Sequence, residues 1–342
     1  MSRAGELGLD EAVAGLKAAA DQTRLRILLL LASGELNVKD LTRILGQSQP
    51  RISRHVKLLG EGGLIDRVRE GSWVFCRLAD GPNGEFARAI VQAIDTSSPV
   101  YVRDRQRADA LKGEREGVAQ AYFRTHAADW DRIRSLHVSE AEVEGAMRDA
   151  LGIERAELLL DLGTGTGRTL EIFSDIYDRA VGIDVNQSML AYARAKLRRE
   201  GLDHAQVRHG DIYNLSFPDD VADAIVMHQV LHFLSDPGRA IREAARVLSP
   251  GGRLLIVDFA PHQLEFLRDE FAHERLGFSS VQVRQWLGEA GLVLEQSRDL
   301  PPPAGREAGK LTVSLWLASR PKVRRGSASR SSKAVQSLET SP

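Results

Sequence analysis

The chain has almost no cysteine: Cys76 stands alone among 342 residues. A single thiol excludes a disulfide framework and any metal site built from several thiolates. Long apolar runs are also missing. None approaches the roughly 18 residues that span a bilayer, and the N-terminus has no apolar signal core. The expectation is a cytoplasmic protein with no membrane segment. Net charge is almost absent too, at −1, so attraction to a polyanion has to come from local clusters. What remains, 43% hydrophobic and 27% charged residues, is the composition of a globular protein, and the length fits two domains with connectors.

One local cluster lies near the N-terminus. Residues 10–33 read as two helices, the second capped by Asp21 or Thr23 and largely buried through Leu25 and residues 27–31. A further helix follows, with Val38, Leu41 and Leu45 on one face, and Gly46 breaks it. Ser48 can cap the next helix, with Pro50 tolerated in its first turn. Ile52, Val56 and Leu59 recur at i, i+4 and i+7 and form a buried stripe. The opposite face carries Gln49, Arg51, Ser53, Arg54, His55 and Lys57, with Gln47 and Ser48 at its start. From Leu41 to Gly60 there are four Arg or Lys and no acid. Two short helices joined by a tight turn, the second presenting Gln, Ser and Arg, fit a helix-turn-helix. Its second helix enters the major groove, where Gln and Arg read base edges and Arg or Lys hold phosphates. Residues 64–69 and 73–78 then read as strands around Glu70-Gly71-Ser72, a hairpin wing with Arg67 and Arg69 placed for backbone contacts. Turn, basic face and wing in this order point to binding of double-stranded operator DNA.

This block, over roughly residues 8–80, resembles the ArsR family of winged-helix repressors. The carrying segments are Asp21-Gln22-Thr23-Arg24-Leu25-Arg26-Ile27-Leu28, the Asp40-Leu41 helix, and Ser48-Gln49-Pro50-Arg51-Ile52-Ser53-Arg54-His55-Val56-Lys57-Leu58-Leu59. The resemblance implies a homodimer on its operator. It departs from the metal-sensing members where their cysteine pair stands, because Asn37 and Lys39 occupy those positions here. No metal is therefore expected, and Cys76 reads as a wing-strand residue rather than a redox switch.

Residues 81–119 read as a connector. Phe86, Ile90 and Ile94 point to one more helix, offered as a dimer face, and residues 96–99 mark a break. Residues 103–116 carry dense charge of both signs, the pattern of a solvated helix, and amphipathic helices are expected over 120–150. The division is 1–95 for a winged-helix domain, 96–145 for helical connector and capping helices, 146–320 for an α/β domain, and 321–342 for a disordered basic tail.

The α/β domain opens on Leu158-Leu159-Leu160-Asp161-Leu162-Gly163-Thr164-Gly165-Thr166-Gly167. This is a buried strand, an acid and a glycine turn, with a helix expected over 168–176. Strands are expected at 180–183, 206–209, 222–227, 253–257, 293–295 and 312–318, and helices at 188–200, 237–248, 263–272 and 281–290. The alternation implies a largely parallel, doubly wound Rossmann-like sheet with its ligand at the carboxyl ends of the strands.

A dinucleotide fingerprint needs Gly-x-Gly-x-x-Gly. Here Arg168 stands where the last Gly belongs, and Asp161 would repel a diphosphate. An acid there suits a cationic ligand such as an ammonium or a sulfonium. Asp184 ends the second strand, where a carboxylate can take both ribose hydroxyls, and Asp211 follows the third, placed for an adenine amino group beside Ile212. With Met227-His228-Gln229-Val230-Leu231-His232-Phe233 and Arg246-Val247-Leu248-Ser249-Pro250-Gly251-Gly252, these features resemble the class I S-adenosylmethionine-dependent methyltransferases, with their seven-stranded domain, from about Tyr122 to Ala318. The resemblance implies that Asp161, Gly163 and Gly165 cradle the methionine part, Asp184 holds the ribose, and Asp211 and Ile212 hold the adenine. Thr164, Gly167, Val185 and His228 complete the cofactor-binding set. Candidate bases are His228, His232 and His273, none decisive before geometry is known.

The whole arrangement is similar to ArsR-type regulators carrying a methyltransferase-like domain, some of which respond to S-adenosylhomocysteine and control methionine-cycle genes. The implied ligand is S-adenosylhomocysteine or S-adenosylmethionine, serving as effector. The alternative is an active small-molecule methyltransferase with an ArsR-type regulatory domain. A nucleic-acid adenine methylase is disfavoured, since no Asn-Pro-Pro-aromatic turn follows the fourth strand.

Overall fold

A computed structural model describes residues 7–127, 130, 140–153, 155–302 and 311–322. The expected tail at 321–342 lies outside the described residues apart from its first two, and the expected helical stretch over 120–150 is outside them at 128–129 and 131–139.

The N-terminal domain is helical with a small sheet. Helices α1 (Leu9–Ala19), α2 (Gln22–Leu31), α3 (Val38–Leu45) and α4 (Gln49–Glu61) precede the hairpin of β2 (Ile65–Glu70) and β3 (Trp73–Leu78). Asp21 caps α2, its carboxylate accepting from the Arg24 amide. Gly46 ends α3 at φ +63°, a conformation that glycine adopts without a Cβ penalty. The short strand β1 (Leu36–Asn37), absent from the sequence reading, pairs antiparallel with β3. Asn37 then begins α3 in a reciprocal cap with Asp40, a structural role for one of the two positions where the resemblance would have put a cysteine.

Helix α5 (Gly81–Gln92) follows the wing, and α6 (Pro99–His126) runs unbroken for 28 residues. Two expectations change at this point. The apolar residues Phe86 and Ile90 of α5 pack on their own domain's core, while α1 exposes Leu9, Val13 and Leu16. The helix expected to be solvated is instead half core. Ala108 and Leu111 of α6 join the N-terminal cluster, and Asp104, 1% exposed, takes a two-pronged pair from Arg26 at 2.6 and 2.7 Å. Asp104, Arg107 and Arg115 are spent on protein partners while Arg103, Arg105 and Asp109 face solvent, a division that the pattern alone cannot show.

The C-terminal domain is a seven-stranded sheet ordered β6-β5-β4-β7-β8-β10-β9. Its strands are β4 (Ala156–Leu162), β5 (Tyr177–Asp184), β6 (Ala205–His209), β7 (Ala222–His228), β8 (Leu248–Phe259), β9 (Val293–Leu300) and β10 (Val313–Ser319). The strands from β6 to β8 are parallel, and β10 runs antiparallel to both neighbours. Apolar alternation buries both faces: Leu159 joins one core cluster, and Leu158, Leu160 and Leu162 join the other. Helices α7 (Glu140–Leu151), α8 (Arg168–Ile172), α9 (Gln187–Arg199), α10 (Pro237–Val247), α11 (Phe266–Glu270) and α12 (Ser280–Glu289) pack around it. Helices α8 and α11 are shorter than expected, because backbone turns at 173–176 and 271–273 end them.

Candidate functional site: a strand-end cavity and a helix-turn-helix surface

The chain reverses at β4. Strands β5 and β6 are laid to one side, and the next strand, β7, returns to the other. A crevice at such a switch point is where open α/β sheets receive ligands. A cavity of about 340 Å³ lies there.

Its floor is the glycine turn. Gly163, Gly165 and Gly167 have φ of +79°, +52° and +81°. A Cβ on Gly163 would lie 2.3 Å from a Val230 methyl, so this turn closes on the β7 loop only with glycine. The amides of Gly163 and Thr164 both donate to the Ile183 carbonyl, at 2.8 and 3.0 Å. Asp184 Oδ2 accepts from the Gly165 amide at 2.9 Å and Oδ1 from the Asn186 amide at 2.8 Å. Burial raises the Asp184 carboxyl, and those amide donors oppose the rise.

Of the expected cofactor set, Gly163, Thr164, Gly165, Asp184, Val185, Asp211, Ile212 and His228 line the cavity. Asp161 and Gly167 support it from behind: Asp161 is 1% exposed on β4, and Gly167 starts α8. The candidate bases separate. His228 lines the cavity. His232 is buried, with Nδ1 2.7 Å from Asp258 Oδ1, and His273 is buried and stacks on Phe259. Neither of these two lines it, which corrects the expectation for His273 and for His232 beside the pocket.

Sequence reasoning missed several lining residues. Glu116, Gln120 and Phe123 come from the last turns of α6, and Tyr213, Gln229 and Trp130 also line the wall. Gln229 holds φ +52°, rare for a side-chain-bearing residue, fixed by its amide donating to the Val257 carbonyl at 2.7 Å. Phe123 meets Trp130 and Phe233 edge-on, with centroids 5.1 and 4.7 Å apart.

The cavity's charge is negative. Glu116, Asp184 and Asp211 are carboxylates, and among the described residues the one lining Arg or Lys, Arg168, is paired with Glu144 at 2.7 and 2.8 Å and with Glu171 at 2.7 Å. Among the described residues a diphosphate finds no spare Arg or Lys here. Burial raises the Glu116 carboxyl, and Asp211 raises it further. Thr164 Oγ1 is buried without a hydrogen-bond partner. Glycine clearance, an unsatisfied hydroxyl and a carboxylate at the end of β5 fit a cationic nucleoside amino acid.

On the other domain, α4 presents Ser48, Gln49, Arg51, Ser53, Arg54 and Lys57 to solvent, and the wing presents Arg67 and Arg69. Two residues of the expected DNA-facing set are turned inward. The Gln47 amide donates to Thr23 Oγ1 at 3.2 Å. His55 sits 3.6 Å from Asp21, and burial lowers its pKa against that carboxylate's pull.

These features define a winged helix-turn-helix domain joined to a doubly wound α/β domain of the methyltransferase class. Residues 160–256 match the family model of the methyltransferase domain, and residues 21–67 match that of the bacterial regulatory proteins of the arsR family. An uncharacterized methyltransferase, YcgJ of Bacillus subtilis, is 33% identical over 136 residues, covering 40% of this chain and 53% of that protein. The ubiquinone/menaquinone biosynthesis C-methyltransferase UbiE of Pectobacterium carotovorum is 32% identical over 172 residues, covering 44% of this chain and 68% of that protein. Among solved structures, a chain in the complex of the Haloferax volcanii Trm112 methyltransferase activator superposes with a TM-score of 0.50 at 22% identity. It covers 58% of this chain and 97% of that one, a likeness of fold. The chain belongs to the S-adenosylmethionine-dependent methyltransferases over its C-terminal half and carries an arsR-family helix-turn-helix ahead of it. It spans about half to two thirds of the length of the curated relatives it matches.

Proposed function

We propose that the protein is a DNA-binding transcriptional regulator, a repressor acting as a cytoplasmic homodimer, whose methyltransferase domain binds S-adenosylhomocysteine or S-adenosylmethionine as effector. The observation that carries this reading is α6. Its first half lies in the core of the DNA-binding domain through Asp104, Ala108 and Leu111. Its last turns wall the cavity through Glu116, Gln120 and Phe123. A ligand touching those turns acts on the rigid element that carries α2 and α3, the latter through the Arg107 guanidinium donating to the Ile44 carbonyl at 2.9 Å. In a dimer this alters the spacing of two recognition helices, which must match half-sites about 34–36 Å apart. The exposed stripe of Leu9, Val13 and Leu16 on α1 is the proposed dimer surface. The ligand regulates through its differential affinity for the operator-bound and free geometries. In this reading Ser48, Gln49, Arg51, Ser53, Arg54 and Lys57 meet the DNA, and Arg67 and Arg69 meet its backbone. In this reading the target genes are those of the methionine cycle, as the resemblance to S-adenosylhomocysteine-responsive regulators implies.

The glycine turn with Thr164, backed by Asp161, would hold the amino-acid part, Asp184 and Val185 the ribose, and Asp211, Ile212 and His228 the adenosine. A second reading, an active small-molecule methyltransferase, is favoured by His228 lining the cavity and by the named activities of the relatives. S-adenosylmethionine then supplies a transferable methyl, and His228 holds the acceptor's proton.

Calorimetry with each ligand on wild type and Asp184→Ala tests the site. The effector reading expects S-adenosylhomocysteine binding at micromolar affinity or better and its loss in the variant, with ligand-free operator binding intact. Methyl transfer at enzymatic rates without any effect of ligand on operator affinity favours the second reading.

A further inference from the structure

The two domains meet at a buried charge cluster outside the cavity. Arg275, in the segment after α11, is fully buried. Its guanidinium donates to Glu35 at 2.8 and 2.9 Å and to Glu70 at 2.7 and 3.1 Å, and it lies 3.9 Å over the Phe75 ring. Glu35 immediately precedes β1, and Glu70 ends the first wing strand, so one side chain of the α/β domain grips the wing sheet at two points. Arg268 adds a third, 4.0 Å over the Trp73 ring, and Glu265 a fourth, accepting from the Ser72 amide at the wing tip.

The same segment is bonded to the cavity wall. The His232 carbonyl accepts from the amides of Glu274 and Arg275, at 2.9 and 3.0 Å. His232 is itself anchored on Asp258. The three residues after it, Phe233, Leu234 and Ser235, line the cavity. One residue further on, Asp236 abuts the DNA-binding domain, since a Cβ on Gly34 would lie 2.6 Å from its Oδ2. The loop from His228 to Asp236 is thus one wall of the cavity and also part of the domain interface.

We infer that the Glu35–Arg275–Glu70 cluster is the regulatory latch of this site, through which the cavity loop holds or frees the wing. The inference rests on the effector reading above and adds the coupling element. A buried ion cluster is poor glue, because desolvation offsets much of its attraction, but a partly broken one strands a charge in a low-dielectric interface. Each Arg275 nitrogen is bonded here, while Glu35 Oε1 is buried without a hydrogen-bond partner among the described residues. Pairing and hydration of the cluster are the two favoured alternatives, and they give the wing two positions. A shift of the 228–236 loop on ligand binding moves the Arg275 backbone through the His232 carbonyl and biases that choice. Two-state elements biased in this way carry coupling between sites.

The test is the triple variant E35Q/E70Q/R275M, which removes all three charges at similar volume and leaves the cavity untouched. Wild type and variant are titrated with S-adenosylhomocysteine alone, then with operator duplex in its absence and presence. The latch expects S-adenosylhomocysteine affinity within about threefold of wild type, while a ligand effect on operator affinity of about tenfold in wild type falls below twofold. A variant that keeps the full wild-type effect overturns the latch. A wild type that binds the ligand with no change in operator affinity overturns instead the effector reading. Hydrogen exchange of the wild-type wing amides at 65–78 stands independently of the variant's folding. Protection that changes with S-adenosylhomocysteine supports the latch, and protection identical with and without it overturns the latch.

Discussion

Asn186 donates from its side-chain amide to Gln120, at 2.9 Å to the side-chain oxygen and 3.2 Å to the backbone carbonyl. The same Asn186 caps α9 by accepting from the Ser188 and Met189 amides, both at 3.1 Å. One residue therefore fixes the loop that carries Asp184 and ties it to the helix reaching the DNA-binding domain. Asn186→Ala should cost about 1 kcal/mol from the lost cap, lowering the melting temperature by about 2–4 °C. It should also weaken the response of operator binding to S-adenosylhomocysteine. Calorimetric melting and operator titration check the two effects separately.

Gly163→Ala forces a Cβ to 2.3 Å from Val230 at a residue held at φ +79°. Relief requires the turn and the β7 loop to separate, opening the cavity floor. The expected outcome is at least a tenfold loss of S-adenosylhomocysteine affinity with about 1–3 kcal/mol of destabilisation. Titration calorimetry on a variant whose circular dichroism matches wild type reads it, and unchanged affinity would remove this turn from the ligand site.

Much of this was legible in the sequence for physical reasons. Strand–turn–helix order at 158–167 and the stripe Ile52, Val56 and Leu59 are local patterns, and local patterns survive without a structure. Asp184 and Asp211 were found because strand ends can be counted. What was not legible is long-range. Nothing near Arg275 predicts a partnership with Glu35 and Glu70, 240 and 205 residues away. The mixed charge of α6 reads as solvated until Asp104 is seen paired with Arg26 and Arg107 bonded to the Ile44 carbonyl. His228, His232 and His273 look equivalent in the chain, and only the fold separates the one at the cavity from the two packed behind it.

Cys76 is buried in the wing sheet, and burial pushes its thiol up to about 12. A thiol in that state has almost no thiolate near neutral pH. The folded protein should react with a thiol-directed reagent at least a hundredfold more slowly than the protein unfolded in guanidinium. Fast labelling of the native chain would reopen a redox role.

Burial pushes the Glu274 carboxyl up to about 7, with Arg115, Arg275 and Arg268 opposing and Asp40 adding to the rise. Arg115 bridges Glu274, at 2.6 Å, and Asp40 across the domain interface. Undocked and hydrated, Glu274 returns toward its ordinary value. The docked state therefore holds the proton more tightly, and docking loses favour as pH rises from about 5 through about 7. A distance-sensitive label pair across the two domains should report more separation at about pH 8 than at about pH 6, and Glu274→Gln should flatten that dependence.

The central claim, that the cavity's ligand controls DNA binding, is tested most directly by operator affinity measured with and without saturating S-adenosylhomocysteine. Fluorescence anisotropy on a labelled duplex, selected from random sequence by the protein itself, is sufficient. The account predicts a change of at least fivefold, absent in Asp184→Ala. Equal operator affinity in the two conditions, with the ligand shown by calorimetry to be bound, would contradict it.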